Sequence, residues 1–182
     1  MAEKGNWFAA LSVVIPPEVL EQLRQGAPPG LRWFAPEDVH LTVAFFGRYQ
    51  AERLPAVVEI VRAVPPFQIQ ASLGGLKPLP SARRFSALSF ELAEGGGEAA
   101  ALMRQVHHPL MAAAGLAPDS RQAYPHITVA RPHRRSSHGE RLAILDWCQA
   151  VAPPVVGIRL SEIAIYGWAE DRGTRQFRRL AA

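Results

Sequence analysis

A chain of 182 residues, 48% apolar and 20% charged, is long enough to bury a sizeable core and too apolar for a disordered polymer. Its net charge of +4 rests on 20 cations, 18 of them arginine; the arginine fork suits phosphate, but charge alone does not separate a nucleic-acid surface from a compositional bias. Cys148 is the single cysteine, which excludes an internal disulfide and argues against a thiolate metal site; with no signal-peptide layout and no long apolar run, a cytoplasmic protein without membrane contact is expected.

Trp7 to Val14 is apolar and β-favouring and predicts a strand, after which Pro16 and Pro17 open a helix over Glu18 to Gln25. A loop from Gly26 to Gly30 leads to strand segments at Leu31 to Phe34 and Val39 to Phe46, the second ending at Gly47, and a helix is expected over Glu52 to Ala63. Phe67 to Leu73 alternates apolar and polar residues until Gly74 and Gly75 break it. The pattern resumes at Phe85 to Leu92 after a turn near Pro80, and these two strands are placed to pair antiparallel. Beyond the Gly95 to Gly97 run, Glu98 to Ala114 predicts a long helix stopped by Gly115. A strand at Ile127 to Ala130, a helix at Gly139 to Ala150, a strand at Val155 to Ile165 and a closing strand at Arg175 to Leu180 complete the chain. The order suggests two similar halves of one domain spanning 1–182, in an α+β fold with mainly antiparallel sheets.

The main signal is a repeat. His40-Leu41-Thr42-Val43-Ala44 and His126-Ile127-Thr128-Val129-Ala130 follow one pattern, although chance places only about 0.1 of a Thr two residues after a His in a chain this poor in both. On a strand, His40 and Thr42 share one face and Leu41 and Val43 the other, and the second copy behaves alike. Two such strands brought together by an approximate twofold axis offer two imidazoles and two hydroxyls to one cleft. A neutral imidazole takes a proton from attacking water, a protonated one gives a proton to the leaving oxygen, and the Thr hydroxyls hold phosphate oxygens, so the set cleaves phosphate esters without metal. Arg131, five residues after His126, falls on the opposite face of a regular strand and needs a local bend to reach the phosphate.

The chain resembles the two-histidine phosphoesterases, and among them the bacterial and archaeal RNA 2′,3′-cyclic phosphodiesterases once called 2′-5′ RNA ligases. The likeness runs through NWFAALSVVIPPEV, LRWFAPEDVHLTVAFFG, LGGLKPLPSARRFSALSFEL, YPHITVAR and SEIAIYGWAEDRGTRQFRRL. It implies a bilobal, pseudo-twofold α+β fold of two antiparallel sheets with outer helices and a central cleft. The implied reaction is hydrolysis of RNA 2′,3′-cyclic phosphate ends to 2′-phosphomonoesters, with 2′-5′ ligation as its reverse. By this analogy His40 is the proton donor and His126 the acceptor, Thr42 and Thr128 bind phosphate oxygens, Arg131 matches the arginine after the second motif, and Phe45 stands where an aromatic residue faces the base. One departure is Ala123, where the family usually has an aromatic residue, with Tyr124 offering a ring one position on.

The remaining features carry less. His107 and His108 diverge by about 100° on a helix and do not form a metal pair, and the Gly95 to Gly97 run lacks the Lys and Ser or Thr of a phosphate loop. Trp33, Trp147 and Trp168 suit packing as well as base stacking. The loop with His133, Arg134, Arg135 and His138 and the series Arg172, Arg175, Arg178 and Arg179 suit RNA contact or plain solvation. No cofactor or metal is expected, and the chain is expected to be a monomer acting on an RNA end or a cyclic nucleotide. Two alternatives stay open: an RNA-end-binding protein without turnover, and a phosphodiesterase for a small cyclic phosphate.

Overall fold

The computed structural model describes residues 5–118, 122–171 and 175–181. Its first sheet begins with β1 (Asn6–Ser12), whose apolar core of Trp7, Phe8, Ala9, Ala10 and Leu11 is buried. Helix α1 (Pro17–Gln25) starts on its Pro and buries Leu20 and Leu23. Strand β2 (Leu31–Trp33) and a short 3₁₀ turn (Pro36–Asp38) precede β3 (His40–Arg48), and a second 3₁₀ turn (Ala51–Arg53) leads into α2 (Leu54–Arg62). Then follow β4 (Ile69–Leu79), β5 (Ala87–Glu94), α3 (Gly96–Ala113), β6 (His126–Pro132), α4 (His138–Ala150), β7 (Gly157–Leu160), β8 (Ile163–Trp168) and β9 (Phe177–Ala181).

The strands form two antiparallel sheets, in the orders β3-β1-β8-β9 and β2-β6-β5-β4-β7. The α+β class, the antiparallel sheets and the flanking helices are as expected from the sequence. Helix α3 packs on β3 of one sheet and on β4 and β5 of the other, tying the two together. The two sheets are not the two halves of the chain: β2 leaves the N-terminal half to join β6, while β8 and β9 return from the C-terminus to β1.

Two strand expectations are corrected. Gly74 and Gly75 do not end a strand, because β4 runs on through them, with register irregularities between Ser72 and Leu76. A Cβ at Gly74 would stand 3.3 Å from both the Ala93 nitrogen and the Glu91 carbonyl oxygen, so glycine here permits a close backbone approach. The single strand expected over Val155 to Ile165 is two, β7 and β8, which belong to different sheets and are separated at Ser161 and Glu162. The long helix is confirmed and begins after Gly95, whose φ of 73° is left-handed and where a Cβ would strike the Gln70 carbonyl. Helix α4 carries a complete capping box, Ser137 with Glu140, that fixes its start. No helix among the described residues is long and apolar enough to cross a membrane. Of the C-terminal arginine series, Arg172 lies outside the described residues.

Candidate active site

Each histidine motif opens a strand, β3 at His40 and β6 at His126, and each strand bulges at the same place. Against β1, Ala10 faces Thr42 but Ala9 faces Ala44, so Val43 is an extra residue. Against β5, Ser89 faces Thr128 but Leu88 faces Ala130, so Val129 is the extra one. A bulge shifts the alternation by one. His40, Thr42 and Phe45 therefore share a face, as do His126, Thr128 and Arg131. This is the bend that Arg131 requires. Each bulged carbonyl finds a donor off the ladder: His107 Nδ1–H donates to Val43 O at 3.1 Å, and the Phe34 N–H donates to Val129 O at 2.9 Å.

The imidazoles are held alike. His40 Nδ1–H donates to Asp38 O at 2.6 Å and His126 Nδ1–H to Tyr124 O at 2.7 Å, each bond running to the carbonyl two residues before. A carbonyl only accepts, so the proton sits on Nδ1 and leaves Nε2 for a ligand in both rings. His40 is stacked on Phe8 with ring centroids 4.7 Å apart and meets the edge of Phe177 at 5.2 Å. This aromatic surround leaves it 8% exposed, whereas His126 is half-buried and stacks on Tyr124 at 5.5 Å. The shifted ring of Tyr124 thus does stand beside the second histidine. Burial and the Glu91 carboxylate, which accepts from its hydroxyl, push the Tyr124 phenol up to about 12.

Burial pushes the pKa of His40 from 6.5 down to about 4; the bond to Asp38 O opposes the shift, and Arg131 and then His126 nearby add to it. His40 is neutral in the unliganded site at pH 7, and the charges of the second motif reach it.

A cavity of about 200 Å³ opens here, lined among others by His40, Thr42, Phe45, Arg131, Trp168 and Gln176. His126 and Thr128 are not among its lining residues; they stand on β6, where Thr128 Oγ1 shares a hydrogen bond of 2.9 Å with the buried Ser89. Phe45 and Trp168 are both exposed in this region, at 53% and 36%. Trp33 and Trp147 instead pack edge to face at 6.1 Å. Among the described residues no three His, Cys, Asp or Glu side chains stand together as a metal-ligand set.

Three supporting residues escape a reading of the sequence alone. Asp38 is buried and accepts from the Gln176 and Phe177 backbone N–H groups at 2.8 and 3.1 Å, so the residue whose carbonyl orients His40 is itself clamped to β9. Gln176 and Ser89 complete the set. Asp38 stands two before His40 in PEDVH, which is the one local signal; Ser89 and Gln176 have none.

Residues 13–84 match the family described as LigT like Phosphoesterase, a segment that contains the first motif and stops before the second. The fold supplies the second at the matching bulge. The fold of this chain is similar to that of Escherichia coli LigT complexed with 3′-AMP (21% identity, 98% of this chain and 96% of that one, TM-score 0.66). It is equally similar to Thermus thermophilus TT0787 (19% identity, 96% and 94%, TM-score 0.66) and more distantly to Kluyveromyces marxianus Usb1 (14%, 97% and 98%, TM-score 0.50). A comparison with curated proteins gives no match.

Proposed function

We propose that this chain is a two-histidine phosphoesterase that hydrolyses 2′,3′-cyclic phosphate ends of RNA to 2′-phosphomonoesters, in the cytoplasm and without a metal, with His40 and His126 exchanging protons with the reacting oxygens. The observation that carries the reading is the matched pair of Nδ1–H bonds to backbone carbonyls, which gives both rings one tautomer with Nε2 available to a phosphate. Thr42 and Thr128 hold non-bridging oxygens, Arg131 meets the anionic charge, and Phe45 offers a face to the base. A cavity of about 200 Å³ is smaller than the roughly 300 Å³ at which closed small-molecule pockets begin, which suits the end of a longer chain resting in an open cleft. The E. coli LigT complex with 3′-AMP is a precedent for a ribonucleotide in this fold.

A neutral His40 has no proton to donate at Nε2, and burial makes it slow to take one. The donor role that the resemblance gives it therefore requires the substrate anion to draw a proton onto the ring, by offsetting its desolvation. His40→Ala and His126→Ala are expected to fold and to lose about 10² to 10⁴ in rate on 2′,3′-cyclic nucleotides. Full activity in both variants would refute the assignment. Wild-type activity should persist in chelator.

A further inference from the structure

The two histidines are oriented by the same device, but the device is braced differently at each. The residue two before each ring supplies the carbonyl that accepts from Nδ1–H, Asp38 for His40 and Tyr124 for His126. Asp38 is buried, and its carboxylate is tied to the Gln176 and Phe177 amides. Tyr124 is exposed and lies ahead of the ladder, because β6 pairs with β5 only from His126 onward. Its side chain supplies the anchor instead. The Tyr124 hydroxyl donates to Glu91 Oε1, and Lys77 Nζ stands 3.6 Å from Glu91 Oε2, so the carboxylate is engaged at both oxygens. Glu91 is the direct cross-strand partner of His126, as Ser89 is of Thr128, so β5 sets a polar side chain opposite each polar residue of the second motif. Burial and Glu91 push the Tyr124 phenol up to about 12, which keeps its proton available to the carboxylate at neutral pH. Pro125, between Tyr124 and His126, has a fixed φ and disfavours a helical Tyr124, so holding the phenol also holds the carbonyl and the stacked ring.

We propose that Tyr124 and Glu91 are positioning residues for the second histidine: the anchored phenol holds the carbonyl and the ring face that keep the His126 proton on Nδ1 and Nε2 open to accept one. The effect on rate rests on the cyclic-phosphate reading above, whereas the tautomer is a property of the unliganded chain. Without the anchor, water competes for Nδ1–H and the ring divides between tautomers, and the form with hydrogen on Nε2 accepts nothing there.

Nitrogen-15 spectra of the histidine rings in the full chain, recorded at alkaline pH, report which ring nitrogen carries hydrogen, and His126→Gln assigns the signal. Wild type is expected to show Nδ1–H at His126. Tyr124→Phe keeps the stacked ring without its anchor, and Glu91→Ala removes the acceptor; in each the Nε2–H form should reach roughly half of the population or more. In both, kcat for a nucleoside 2′,3′-cyclic phosphate should fall about tenfold with KM little changed. Glu91→Gln keeps an oxygen for the phenol and should restore most of the rate and the wild-type tautomer. The double variant should fall no further than either single one, since the two residues act as a unit. Dispersed amide signals from the same samples verify that each variant is folded. Wild-type tautomer and rate in both single variants would overturn the proposal. So would a raised KM at unchanged kcat, the mark of direct substrate binding by Tyr124. If the wild type turned over no cyclic phosphate, the cyclic-phosphate reading would fail by itself, and the tautomer in Tyr124→Phe and Glu91→Ala would decide the positioning role.

Discussion

His40 and His126 share a tethering geometry but not an environment. Phe8 and Phe177 close around His40, so desolvation dominates its proton affinity, while His126 remains half-exposed beside Tyr124. Asp38 connects this chemistry to the fold, because its carbonyl sets the His40 tautomer and its carboxylate is gripped by the Gln176 and Phe177 amides where the closing strand begins. A bound anion should restore the proton that burial removes. Phosphate binding near pH 6 to 7 is therefore expected to take up close to one proton, read by titration calorimetry in buffers of different ionisation enthalpy, and His40→Gln should abolish that uptake. Binding without proton uptake would reverse the assignment, making His40 the acceptor and His126 the donor.

Among the elements, β3 and β6 work as one device used twice. The repeated pattern was legible in the sequence, and so were the shared faces of His40 with Thr42 and of His126 with Thr128. The bulges were not, since Val43 and Val129 look like ordinary strand residues, and only the ladder shows that each is one too many. For the same reason the facing of Arg131 could be posed as a requirement but not answered. His107 illustrates a residue whose role appears only in three dimensions: it supplies the donor for the Val43 carbonyl, while its Nε2 is buried without a partner. In His107→Leu the lost bond is offset by removal of that orphaned nitrogen, so stability in urea should stay within about 1 kcal/mol of wild type. Turnover should fall by about tenfold as the bulge relaxes and Thr42 shifts, and unchanged kcat/KM would show that β1 alone holds it.

Taken as a whole, the molecule buries a neutral imidazole at its centre, and that choice appears in its stability. An unfolded histidine protonates near pH 6.5, whereas His40 resists until about 4. Between those values the unfolded chain holds the extra proton, so its contribution is complete above 6.5 and lost as pH falls to about 4, by about 3 kcal/mol at most. Urea unfolding of wild type and His40→Gln at pH 7 and pH 4.5 should show the wild type losing more. Parallel losses would place the acid sensitivity elsewhere.

The amino-acid sequence by itself determined the class of the fold, the placement of most helices and strands, and the two motifs, because these rest on local periodicity, turn residues and a pattern written twice. Strand partnership was decided by tertiary structure alone. Nothing local tells β2 to pair with β6, or β7 and β8 to part into different sheets, since any apolar strand satisfies its backbone against several neighbours, and only simultaneous packing of all of them selects one. That selection sets Arg32 opposite Arg131, ties Asp38 to β9, and surrounds His40 with rings drawn from β1, β8 and β9.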